Sequence, residues 1–187
     1  RPVYKYATSK AWVEDYKFDF APHDVGQYPI LNGQVYGLSK STGEMKYSMQ
    51  MPVEECGNML ILTYAYYKMT GNKQFLKDNF DLLMTWADYL KKKGVVLDNQ
   101  LCTDDFAGHS KKNVNLAIKG IMGIACFDRI CKEFKIKRDY DKVAKDYAKE
   151  LMEVAKTDEA YLPFSVGGKD TWSLKYNLVW DILFGFR

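Results

Sequence analysis

The sequence has 187 residues, a length that suits one domain with a real core. It is 47% hydrophobic and 15% aromatic, and its net charge of +3 comes from 27 basic and 24 acidic residues. The basic residues fall in short solvated runs such as Lys91-Lys92-Lys93 rather than in a patch, which argues against nucleic acid; no signal peptide and no apolar run of transmembrane length is visible, so no membrane partner is expected.

Pro2 to Tyr16 reads as a helix with Tyr4, Ala7, Ala11 and Trp12 on one face and Lys5, Lys10 and Glu14 on the other. Lys17 to Met51 is broken by Pro22, Gly26, Pro29, Gly33, Gly37 and Gly43. Its apolar residues Phe18, Phe20, Tyr28, Ile30, Leu31, Tyr36 and Leu38 are too many for disorder, so it is expected to pack over something. Pro52 opens the next helix, where its missing N–H costs nothing, and Glu54 and Glu55 sit in the first turn, favoured by the helix dipole. From Met59 to Met69 that helix has almost no polar face, which predicts burial all round, and Gly71-Asn72 ends it. Lys73 to Lys93 carries one apolar stripe and ends at Gly94. Val95 to Lys112 is a loop holding Thr103-Asp104-Asp105. Asn113 is placed to cap a helix from Val114 to Cys131, nearly all apolar, in which Gly120 and Gly123 suggest close approach of a neighbour. Asp139 to Lys156 is the clearest amphipathic helix. After a loop with Pro163, Gly167 and Gly168, Ser173 to Phe186 is apolar all round.

One-sided and all-round apolar helices therefore alternate. Helices joined by short turns run antiparallel, so the alternation predicts an all-α fold of helical hairpins, with inner helices starting near Val53, Asn113 and Ser173 and pointing the same way. The loops before them then share one rim. Four cysteines without a C-x-x-C pair, and two histidines, make a poor zinc set, so no metal and no cofactor is expected. The thiols are expected to be free and buried, and Cys56 beside Glu55 is read as structural rather than nucleophilic. The abrupt start at Arg1-Pro2 and the apolar run ending at Arg187 suggest a piece of a longer protein, a single helical domain fragment over 1–187.

Four polar clusters precede or open the inner helices: His23-Asp24, Glu54-Glu55, Asp104-Asp105 and Asp170. Each has a plain reading: helix-dipole acids, a turn, a loop histidine, another turn. Their predicted convergence on one rim is what points to chemistry. Two carboxylates whose environments differ can divide the work of activating water and protonating a leaving group, as in hydrolysis of glycosides or amides. No nucleophile elbow, phosphate loop or dinucleotide fingerprint is present.

Phe20-Ala-Pro-His-Asp-Val-Gly-Gln-Tyr-Pro29, Met51-Pro-Val-Glu-Glu-Cys-Gly-Asn-Met59, Leu101-Cys-Thr-Asp-Asp-Phe-Ala-Gly108 and Trp172-Ser-Leu-Lys-Tyr-Asn177 resemble the glutaminase A family. The resemblance implies an (α/α) six-hairpin toroid, of which this chain would hold about half, and hydrolysis of L-glutamine to L-glutamate and ammonia. By position in these motifs, Glu54, Glu55, Asp104 and Asp105 are candidate catalytic residues. His23, Asp24, Tyr28, Asn58, His109, Trp172 and Lys175, in or beside the motifs, are candidates for binding a small-molecule substrate. Cys56 stands where a small residue such as Ser is expected in relatives. Two other readings are a glycoside hydrolase using the same acids and a helical module without catalysis. A part of a toroid exposes inner helices, which predicts a large apolar face and self-association through it.

Overall fold

A computed structural model of the chain describes residues 1–31, 33–34, 39, 41–44, 46, 49–103, 108–158 and 160–186. All regular elements among them are helical: α1 (Pro2–Ala7), α2 (Pro52–Thr70), α3 (Lys73–Asp78), α4 (Phe80–Lys93), α5 (Val114–Glu133), α6 (Tyr140–Val154) and α7 (Val179–Phe184). The extended backbone pairs only in isolated bridges, Gln100 with Ser110 and Asn113 with Ser165. The fold is all-α, as the alternation of helix faces requires.

At the centre α2 and α5 lie side by side and parallel. Near their N-terminal ends the Glu54 carboxylate meets the Lys119 ammonium, and at their C-terminal ends the Tyr67 hydroxyl donates to Glu133 Oε2 at 2.7 Å. The crossing is close because two glycines face each other. A Cβ on Gly123 would come 3.1 Å from Gly57 Cα, and one on Gly57 would come 2.7 Å from Lys119 Cγ. Gly120 is looser, with its nearest neighbour Val53 Cγ1 at 3.6 Å from a Cβ there, so the close approach expected of both falls to Gly123. Outside this pair run α4 and α6. Phe80, at the start of α4, packs on Phe127 and Phe134 towards the end of α5, so α4 runs against it. The Tyr140 ring, opening α6, also rests on Phe127, and its hydroxyl donates to Asp88 of α4 at 2.7 Å. α1 lies outside α2 and α3, with Tyr4 against Phe75 and Trp86.

The caps agree with the sequence. Gly71 is left-handed at φ 67°, Gly94 stands at φ 68°, and Asn113 Oδ1 accepts from Leu116 N–H at 2.7 Å. Other expectations are corrected. The first helix stops at Ala7, where the Thr8 hydroxyl bonds back to the carbonyls of Tyr4 and Lys5, and a π turn over Ala11–Asp15 follows. The helix expected over Lys73–Lys93 breaks at Asn79, whose side chain donates to Phe75 O at 2.8 Å. α2 is not buried all round, since Leu62, Tyr66 and Met69 are exposed on one side of its C-terminal half. The last inner helix does not begin near Ser173: a 3₁₀ turn over Tyr176–Leu178 leads into the short α7, and Leu174, Leu178, Val179, Ile182 and Leu183 lie open to solvent. Of the long loop after Lys17, Phe20 and Ala21 are buried, with the Phe18 and Phe20 rings packed edge-to-face with Trp12, whereas Tyr28 and Ile30 are exposed; Tyr36 and Leu38 lie outside the described residues.

Candidate functional site

The N-terminal ends of α2 and α5 are held from three sides. Met51 at its N-cap offers no side-chain acceptor, and the donor left over is taken by a loop: Val53 N–H donates to Gln100 Oε1 at 3.1 Å. Gln100 is buried and is paired through its backbone with Ser110, closing the neck of the loop that carries Thr103. On the other side, Ala21 N–H points at Cys56 Sγ at 3.3 Å and seats the segment bearing His23 against the helix. From the third side, Asn177 of the last motif meets the first turn of α5, its Nδ2 donating to Asn115 O at 3.0 Å. Loops distant in sequence thus reach the N-terminal ends of α2 and α5, as parallel inner helices require.

At this rim the two neighbouring glutamates have different fates. Glu54 is 4% exposed and turns inward, where its Oε1 accepts from both Lys119 Nζ and the Thr103 hydroxyl; Lys119 is 5% exposed and also donates to Thr103 Oγ1 at 3.0 Å. Glu55 turns to the mouth. Its Oε1 pairs with His23 Nδ1 at 2.9 Å and its Oε2 is approached by Asn58 Nδ2 at 3.4 Å. The side chains of His23 and Glu55 keep 26% and 19% exposure, enough for contact with solvent or a ligand. The hydrogen bond to Glu55 raises the His23 pKa above its ordinary value against the opposing effect of burial, and the charges of Glu55, Asp24 and Glu54 add to the rise. Asp24 itself closes a local turn, Oδ1 accepting from Gly26 N–H at 2.7 Å.

Of the residues singled out in the sequence, the structure brings His23, Glu55 and Asn58 into one hydrogen-bonded group, with Glu54 immediately behind and Asp24 beside it. Asp104 and Asp105 lie outside the described residues. Tyr28 is 87% exposed and Trp172 is 66% exposed, and His109 is exposed next to the Gln100–Ser110 neck. Lys175, at φ 53°, lines a cleft with Met152, Lys156 and Tyr161 at the end of α6. None of these four makes a hydrogen bond or ion pair with Glu55 among the described residues. Sequence reading missed Lys119, Thr103, Gln100 and Asn115. The signal for Lys119 was present: a lone cation in the apolar first half of α5.

Cys56 is fully buried, and burial pushes its thiol pKa well up against the weaker opposing effect of the Ala21 N–H. It is held as a thiol, with no thiolate for nucleophilic work. None of the four cysteines is in a disulfide, and all are buried. No cluster of three or more His, Cys, Asp or Glu side chains able to hold a metal occurs among the described residues, and no helix there is long and apolar enough to cross a membrane.

The family model for the glutaminase A six helical-hairpin domain matches residues 1–187. The chain belongs to this family. A glutaminase A from Aspergillus oryzae is 31% identical over 97% of the chain, and a probable glutaminase from Arthroderma benhamiae is 24% identical over 92% of it. The chain spans about a quarter of the length of each, 25% and 26% respectively. As a member of a six helical-hairpin family it carries the α2–α4 and α5–α6 hairpins with their shared rim.

Proposed function

We propose that the protein to which this chain belongs is a glutaminase-like amidohydrolase that converts L-glutamine to L-glutamate and ammonia. The observation that supports this reading is the His23–Glu55–Asn58 group at the rim of a glutaminase A family domain. Glu55 is the open carboxylate of the pair in the first turn of α2 and takes the role of general base: it accepts a proton from a water as the water oxygen bonds to the carboxamide carbon. His23, whose protonated form Glu55 favours, fixes that carboxylate and brings a positive charge for the carboxylate of the substrate. Breakdown of the tetrahedral adduct expels the amide nitrogen as ammonia once it has gained a proton, from Glu55 itself or from another of the candidate catalytic carboxyls, Asp104 or Asp105. Glu54, engaged by Lys119 and Thr103, is left a supporting part.

The test is ammonia release from glutamine by the full-length protein. Glu55→Gln is expected to lower kcat by about 10²–10⁴-fold, the usual worth of a positioned general base, with a smaller change in KM. Failure of the unaltered protein to release ammonia, together with turnover of an aryl glycoside, would overturn the proposal.

A further inference from the structure

The unequal treatment of Glu54 and Glu55 has a built cause. Adjacent carboxylates in one helical turn disfavour each other's ionisation. Here a cation is delivered to one of them from 65 residues away. The Lys119 stem crosses α2 where Gly57 has no side chain: a Cβ there would lie 2.7 Å from its Cγ and 3.3 Å from its Cδ. Thr103, from a third segment, bonds both members of the pair. Buried ion pairs add little net stability compared with apolar side chains of the same size, so an ammonium threaded through a helix crossing calls for a reason beyond holding the helices together.

We infer that Lys119 is a positioning residue for the rim: its ammonium takes up most of the charge of Glu54 inside the α2–α5 crossing and so leaves Glu55, of the two neighbouring glutamates, as the open carboxylate that pairs with His23. The inference rests on reading Glu55 as the working carboxylate, but its test needs no turnover. His23 is the reporter. Among the described residues the charges that act on it are those of Glu55 from α2, Asp24 from its own loop and, most weakly, Glu54 from α2.

Full-length protein carrying ¹³C-labelled histidine is titrated by NMR, with the His23 resonance identified by its loss in His23→Gln. Glu54→Gln strands the Lys119 cation and is expected to lower the His23 midpoint by about half a pH unit; Lys119→Met strands the Glu54 anion and is expected to raise it by about as much. The double variant, with neither charge, is expected to return to within about 0.2 pH unit of the unaltered protein. If neither single variant moves the midpoint, the inference is overturned. If a lone buried charge prevents the single variants from folding, the double variant decides. An unchanged midpoint supports neutralisation of Glu54, and a fall of about half a pH unit shows Glu54 acting on His23 past Lys119 and overturns it. Loss of the amidase reading through absent ammonia release would leave these titrations unaffected.

Discussion

Replacing Gly57 by alanine tests how closely α2 and α5 are matched. Carbon atoms in contact sit roughly 3.5–4.0 Å apart, so a new Cβ at 2.7 Å from Lys119 Cγ overlaps it by about 1 Å. The Lys119 carbonyl oxygen, at 3.2 Å, is backbone and moves only with α5 itself. Overpacking of this kind costs about 1–3 kcal/mol, against which alanine in place of glycine within a helix returns about 0.5–1 kcal/mol. The expected net loss is therefore about 1 kcal/mol, within a span of roughly 0–2.5 kcal/mol, if the Lys119–Glu54 pair survives. It grows to about 3–5 kcal/mol if the stem is pushed aside and a charge is left alone in the interior. Gly120→Ala is the matched control. Its Cβ would find Val53 Cγ1 at 3.6 Å and Leu90 Cδ2 at 3.9 Å, ordinary contacts, so it is expected to stabilise by about 0.5–1 kcal/mol. Urea unfolding of the two variants, followed by far-UV circular dichroism, reads both signs. Equal behaviour, or a Gly57→Ala protein as stable as the original, would refute the account of the crossing.

The His23–Glu55 pair makes stability depend on pH. Because the folded-state pKa of His23 is raised, its contribution is full below the ordinary histidine value and is lost as pH rises through the raised value. His23→Gln is thus expected to cost about 1 kcal/mol near pH 5.5 and little near pH 9 in urea titrations. Asn113→Ala removes the acceptor for Leu116 N–H at the start of α5 and is expected to lower stability by about 1 kcal/mol in the same assay. The thiols of Cys56 and Cys126 are buried with raised pKa values, so both are expected to resist an aromatic disulfide reagent in the native protein and to react after unfolding.

Much of the frame was legible because it rests on local chemistry. Gly71, Gly94 and Asn113 end or start helices through their own backbone or side-chain preferences, and the charge pattern of α6 specifies its wet face without reference to anything else. The breaks at Thr8 and Asn79 were harder to see, since there a hydroxyl and an amide bond back to their own turn, and either residue is tolerated within a helix. The stretch after Ser173 is apolar enough for an inner helix, yet its first part is spent on anchoring: Ser173 N–H bonds Leu162 O at 2.8 Å and Asn177 is tied to Asn115. At the site, periodicity placed Glu54 and Glu55 at the mouth but could not tell them apart. Their separation depends on Lys119 and Thr103, contacts that close only when distant segments meet.

The lysine corridor over Gly57 also acts as a lock on sliding. Two apolar helices packed along their lengths can trade one set of knobs and holes for the next by moving a single turn, about 5.4 Å. Here such a slip would drag an ammonium off its carboxylate towards the hydrocarbon of Leu60 and Ile61, both buried and one turn along α2 from Gly57. The vertical alignment of the central helices, and with it the level at which each loop arrives, is thereby pinned by one charged bolt.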